Sequence, residues 1–329
     1  MWVLRKVLLV GGALALVLMV RHFGLDSIAS ALGRIPWWQF ALACLIYGIS
    51  MTLDTLGWRY TFIGDRPPFA KLLAARCAGQ AVNLITAVGG VGGEPVKAWL
   101  LRGDLPYEAS VPSLILAKTA EIVGQALLLA TGIAIGWTTG VVGGALLWPM
   151  LYLLLIEVVA IGGFILVQVT GGVGWAGRLL ARMGAGVGVR VVDGALRDFY
   201  RSHWKALLVA VGCNFAGWLA GAIEAFVILR SLEVPATLGS ATAIEALGTG
   251  VRFATFFVPA NLGTLEGANA AAFSTLGWAV QDGLVFSLVR RGRQVVWIAV
   301  GLVVLMIMGV RRGSEPEARQ LASASTSQE

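Results

Sequence analysis

Apolar runs long enough to cross a bilayer dominate the chain, joined by short basic connections. A spanning helix needs roughly 17–25 residues. Six stretches meet that length cleanly, at about residues 3–20, 37–58, 112–137, 145–169, 206–229 and 282–310. Between the second and third, a basic segment carries Arg59, Arg66, Lys71 and Arg76, and a glycine-broken apolar stretch follows at 72–101. A second broken stretch occupies 237–277. Residues 138–144 are uncharged and glycine-rich and predict a tight turn. The longest polar connection, 171–205, sets six basic residues against Asp193 and Asp198, with Val187, Val191 and Phe199 spaced among them. That pattern predicts an amphipathic helix on the inner leaflet. The whole reads as all-α: a polytopic helical membrane protein with about 7–9 membrane segments, two of them broken or re-entrant. One membrane domain is expected over 1–312, and a disordered Ser-, Glu- and Ala-rich tail over 313–329.

Composition sharpens this. Of the 329 residues, 57% are hydrophobic and only 13% charged, and the mean hydropathy is +0.81. Soluble domains carry about 25% charged residues, so a soluble enzyme is excluded. The net charge of +7 could suggest nucleic acid, but the basic residues sit between apolar spans, as positive-inside topology requires. Arg5, Lys6 and the 171–205 connection place the N-terminus in the cytoplasm of a multi-pass protein of the cell (inner) membrane. Arg21 and His22 end the first apolar run without a small-x-small cleavage pattern, which predicts an uncleaved first helix. Cys44, Cys77 and Cys213 lie in apolar stretches, and neither they nor His22 and His203 show metal-ligand spacing. No cofactor is expected.

The two broken stretches share a grammar. The first reads AVNLITAVGGVGGEPVKAWLL from Ala81, and the second GVRFATFFVPANLGTLEGANAAAF from Gly250. Aligning Val82 with Val251 puts Thr86 on Thr255, and a three-residue gap then puts Glu94 on Glu266 and Ala98 on Ala270. Each apolar stretch carries one polar residue (Asn83, Arg252), breaks at Gly or Pro, and resumes as a helix with Glu near its start. Pro95 suits a first helical turn, and Asn261 opens the second helix through a Gly/Thr turn. Helix N-termini present unpaired N–H groups and partial positive charge, and bind anions. Paired interrupted helices in two halves mark transporter sites. The expectation is therefore an inverted repeat, with halves at about 37–169 and 206–310 joined by the 171–205 linker. Glu94 and Glu266 are expected to approach each other near the midplane. The plain alternative makes these segments loops, each Glu a local cap.

Charges inside the spans point the same way. Lys118, Glu121 and Gln125 share one helical face. Asn214, Gly217, Gly221 and Glu224 form a second stripe, and Tyr47, Ser50, Asp54 and Gly57 a third. Glu157 and Glu245 look more isolated, and Arg290, Arg291 and Arg293 mark either a loop or a polar step in the last helix. A charge at a helix centre costs roughly 2.5–3.5 kcal/mol on insertion. Membrane hydrogen bonds return only about 0.6 kcal/mol on average. Helix gluing alone is a poor reason for so many charges, and a polar cavity is the better one. Candidate substrate-binding residues are Asn83, Glu94, Lys118, Glu121, Gln125, Glu224, Arg252, Asn261 and Glu266.

Both broken segments, with GGEP and L-G-x-x-E-G as their most specific pieces, resemble the signature regions of the lysylphosphatidylglycerol synthase transmembrane-region family of flippase-like membrane proteins. The stretch WLAGAIEAFVILRSLEVPATLGSATAIEALGTGVR is similar to that family's hopanoid-biosynthesis-associated branch. The resemblance covers about residues 1–312. Pro259-Ala260-Asn261 departs from the Pro-Gly-Gly common in the family, which bears on the turn geometry. In fused family members this membrane unit flips an aminoacylated phospholipid that a separate soluble domain helps to make. The present sequence contains no such domain, so the resemblance implies lipid handling without aminoacyl transfer. The expected function is a flippase-like transporter moving an anionic or amphiphilic lipid between leaflets through a polar cavity. Its partner would be a phospholipid, a polyprenyl-linked lipid or a hopanoid-like lipid. The alternative is a non-transporting accessory subunit of a lipid- or glycan-modifying pathway, beside a lipid-modifying enzyme. No H-E-x-x-H or G-x-S-x-G motif supports an enzyme.

Overall fold

The computed structural model describes residues 33, 35–86, 92–140, 142–170 and 189–326. The described residues form ten α-helices and no strand. In chain order these are α1 (Trp37–Arg59), α2 (Phe69–Thr86), α3 (Glu94–Leu101), α4 (Tyr107–Thr139), α5 (Gly144–Thr170), α6 (Val189–Ser202), α7 (Trp204–Ser231), α8 (Leu238–Ala254), α9 (Thr264–Thr275) and α10 (Val280–Thr326). A short 3-10 turn, Pro259–Asn261, separates α8 from α9. Among the described residues, five helices are long and apolar enough to cross a membrane: α1, α4, α5, α7 and the Val280–Gly309 part of α10. They coincide with five of the six spans read from the sequence. The sixth, at 3–20, lies outside the described residues, as do 171–188 and the first break at 87–91.

Local signals set the ends. Pro36 and Pro106 precede α1 and α4 in extended conformation, because proline cannot continue a preceding helix but fits a first turn. Gly140 closes α4 in the left-handed region, at φ 64°, where glycine carries no Cβ penalty. This is the expected tight turn into α5. Helix α6 is strongly amphipathic: Val192, Leu196 and Phe199 are buried with Leu116 of α4. Its Arg197 donates from Nε to the Val169 carbonyl at 3.0 Å and from Nη2 to that of Thr170 at 2.6 Å, which satisfies orphan carbonyls at the end of α5.

The centre of the bundle is the crossing of α1 with α7. The Tyr47–Gly57 and Asn214–Glu224 stripes face each other here, running antiparallel. The Ser50 hydroxyl donates to the Gly217 carbonyl at 2.5 Å, Gly57 packs on Asn214 and Ala210, and Gly217 packs on Asp54. Around this crossing α2 packs along α10 and α8 along α4. Each contact rests on a glycine. A Cβ at Gly132 would stand 2.4 Å from the Cβ of Ala246, and one at Gly301 would stand 2.4 Å from the Cys77 carbonyl oxygen. Small residues at such crossings let membrane helices approach closely. Gly132→Val and Gly301→Val should each destabilise the fold by about 1–3 kcal/mol through overpacking, seen as a lower Tm in detergent. An unchanged Tm in both would contradict this packing.

The segment α2–α3 folds back on itself. A Cβ at Gly93 would lie 1.9 Å from the Gly79 carbonyl oxygen, so the start of α3 rests on the middle of α2. Asn83 accepts the Gly93 N–H at 2.5 Å. Lys71, in the first turn of α2, pairs with Asp104 just past α3 at 2.6 Å, so the segment begins and ends on one side.

One reading needs correction. Arg76 lies within α2 and is buried; the apolar periodicity of the broken stretch absorbs it.

Candidate functional site

Two ionic networks lie inside the bundle, one on each side of the α1–α7 crossing. In the first, Arg76 of α2 reaches Asp54 of α1 at 3.0 Å and Glu121 of α4 at 3.7 Å. Glu121 also takes a 2.8 Å contact from Lys118, one helical turn away. Glu94, at the start of α3, pairs with the buried Lys97 at 2.8 Å, close enough to act electrostatically on Arg76 and Lys118. Lys97 reaches inward because Gly79 has no side chain: a Cβ there would meet the Lys97 stem at 2.6 Å. Three carboxylates and three cations balance. Such balance is what allows charges into a low-dielectric interior.

A cavity of about 100 Å³ opens beside this network, lined by Tyr47, Ser50, Met51, Asp54, Arg76, Gln80, Glu121 and Trp218. It has room for a few waters or a small headgroup fragment. Its aromatic wall is backed by cations: Arg293 lies 4.1 Å from the Tyr47 ring centre and Arg252 5.6 Å from that of Trp218. Two rings therefore separate the cavity from the second network.

In that second network Glu245 of α8 pairs with Arg252 at 2.8 Å and closely with Arg290 of α10. Glu224 of α7, fully buried, pairs closely with Arg293, which is 4% exposed, and lies 3.6 Å from Arg290. Glu266 accepts from Arg291 Nε at 2.9 Å and from the Gly263 N–H at 2.8 Å, so it caps α9 and anchors it to α10. Four guanidiniums face three carboxylates. A smaller cavity of about 20 Å³ sits among them.

Arg291 also holds the second break. It donates to the Ala260 carbonyl at 2.7 Å and to that of Asn261 at 3.2 Å. Ala260 and Asn261 adopt φ 52° and 49°, the left-handed region that penalises a Cβ. Glycine would suit this turn, and Ala260 holds it under strain. Ala260→Gly should raise stability by about 1 kcal/mol, measured as a Tm increase. A decrease would remove the strain argument.

The expected site residues thus divide between the halves. Glu94, Lys118 and Glu121 join the first network, and Asn83 pins the first break. Glu224, Arg252 and Glu266 join the second, and Asn261 accepts the Thr255 hydroxyl at 2.8 Å within the second break. Glu94 and Glu266 bind different cations in different networks. The Pro259–Asn261 turn does pack on α2, so the second break meets the helix leading to the first. Gln125, buried on the shared face with Lys118, donates to Glu157 at 2.8 Å and to the Thr249 carbonyl at 3.0 Å, tying α4 to α5 and α8. The networks add Asp54, Arg76, Lys97, Glu245, Arg290, Arg291 and Arg293, which were not among the candidates. Aligning Val82 with Val251 already lays Arg76 on Glu245, and that was the available signal.

Comparison with curated proteins and with solved structures gives no match. A family model described as "Lysylphosphatidylglycerol synthase TM region" matches residues 3–302. With that match spanning nearly the whole chain, this multi-pass membrane protein belongs to the lysylphosphatidylglycerol synthase transmembrane-region family, a family connected with membrane lipids.

Proposed function

We propose that the chain is a flippase-like transporter that carries an anionic or amphiphilic lipid between leaflets through the polar region around the α1–α7 crossing. The observation that carries this reading is the charged cavity of about 100 Å³ walled by the span-length helices α1, α4 and α7 together with α2. A lipid headgroup crossing the bilayer needs polar partners at every depth, because unpaired polar groups are costly in hydrocarbon.

An inverted repeat supports it. The displacement that carries Val82 to Val251, 169 positions, also carries Cys77 to Ala246 and Gly132 to Gly301, the two matching glycine contacts. It carries Arg76 to Glu245 and Glu121 to Arg290. The ion pair between α2 and α4 therefore has its counterpart between α8 and α10, with the signs of the charges exchanged. A displacement of 167 carries Tyr47, Ser50, Asp54 and Gly57 to Asn214, Gly217, Gly221 and Glu224. Because α1 and α7 cross antiparallel, the axis relating the halves lies in the membrane plane, the geometry of alternating-access transporters. The Lys71–Asp104 pair supports a re-entrant α2–α3, open to one side. The basic residues of α6 and the positive-inside rule favour a cytoplasmic side for the α5–α7 connection. A single cysteine replacing Arg201 should therefore react with impermeant thiol reagent only after the inner side of the membrane is exposed. Reaction in intact cells would reverse the topology.

Arg76→Ala tests the cavity. It unties Asp54 and Glu121 and leaves two like charges facing the lumen. Reconstituted protein carrying it should move fluorescent lipid between leaflets at least tenfold more slowly than the unaltered chain. Equal rates would take the cavity out of the transport route.

A further inference from the structure

Building on the transporter reading, we infer that the second network is a binding site for the phosphodiester of a membrane lipid, with Arg252 as its contact. Charge count and hydrogen bonding carry the inference independently. The first network is electrically balanced. Among the described residues the second has Arg252, Arg290, Arg291 and Arg293 against Glu224, Glu245 and Glu266. It is one negative charge short, in surroundings where an uncompensated charge is expensive. One monoanion completes it.

The donors point to the same place. Nε of Arg252 and Nε of Arg293 are buried without a hydrogen-bond acceptor, and both residues line the smaller cavity. Arg291 is spent on Glu266 and two carbonyls, and Arg290 on Glu245 and Glu224. Glu224 Oε1 has no hydrogen-bond donor and only Arg290 at 3.6 Å, and the smaller cavity, at about 20 Å³, has room for no more than one water. The anion therefore belongs at the mouth, where about a quarter of the Arg252 side chain is open. Phe256 and Phe257 follow within a turn of α8 and are exposed, an apolar flank for acyl chains. A phosphodiester carries one negative charge and matches the deficit. Free phosphate has no acyl chains to lie on that apolar flank.

Thermal unfolding of the purified chain in detergent tests this without a transport assay, because a ligand that binds only the folded state raises Tm. The probes are phosphatidylglycerol, diacylglycerol with the same acyl chains, and inorganic phosphate. Phosphatidylglycerol should raise Tm saturably, and the other two should leave it unchanged. In Arg252→Gln the apparent affinity should fall at least tenfold while the lipid-free Tm holds, since Glu245 keeps Arg290 and the network becomes balanced. Arg252→Lys, which keeps the charge, should retain most of the effect. Stabilisation by diacylglycerol equal to that by phosphatidylglycerol would overturn the inference from the unaltered protein alone. So would undiminished binding in a folded Arg252→Gln. Saturable stabilisation by inorganic phosphate would assign the site to a free anion and overturn the lipid assignment. Lipid binding without leaflet exchange would contradict the transporter reading and leave this site standing.

Discussion

Replacing Arg293 by Met should cost about 3–5 kcal/mol of stability, the largest single effect expected in the molecule. Its partner Glu224 is fully buried in α7, and Arg290 at 3.6 Å is already engaged by Glu245. Without Arg293 the Glu224 carboxylate is left partly unpaired in the interior. The double variant Arg293→Met with Glu224→Leu removes both charges and should recover most of the loss, because a buried ion pair adds little net stability over apolar packing. The pair spans α7 and α10, so the cost should appear as a markedly lower Tm in detergent. Equal Tm in the single and double variants would mean that the charges are not coupled.

Exchanging the signs of one ion pair should separate function from folding. Arg76→Glu puts three carboxylates around the larger cavity and should slow leaflet exchange at least a hundredfold. Adding Glu121→Arg rebuilds the pair in the sense that Glu245 and Arg290 already use in the other half. The double variant should return to within about tenfold of the original rate. Coupling of this kind is what a double-mutant cycle isolates. Additive losses in the double variant would break the proposed equivalence of the halves.

The spans were legible because their length is set by the bilayer and not by packing detail. The stripes on α1 and α7 were legible as faces, since helical spacing groups Tyr47 with Asp54 and Asn214 with Glu224. That these two stripes would meet was not, because spacing within a helix says nothing of its neighbour. Glu94 and Glu266 stood out through their Gly and Pro surroundings, which carry a local backbone reason. Arg76 and Lys97 did not, for a physical cause. A basic residue near a span's end is usually a topology marker; the close approach at Gly79 lets Lys97 in, and Asp54 and Glu121 on neighbouring helices hold Arg76. Glu245 looked isolated because its partners Arg252 and Arg290 lie one on its own helix and one 45 residues on. Arg290, Arg291 and Arg293 fit a loop or a helix equally well by composition. Only the carboxylates of α7, α8 and α9 show why the helix keeps them.

We propose that the chain alone moves lipid across a bilayer. The direct measurement reconstitutes the purified protein into liposomes bearing a fluorescent phospholipid in both leaflets, and follows its quenching by a reagent confined to the outside. Protein-bearing vesicles should lose fluorescence well past the half that the outer leaflet holds, at a rate that rises with protein per vesicle. Quenching that stops at half, as in protein-free vesicles, by protein shown to be folded and correctly inserted, would contradict it and favour an accessory role.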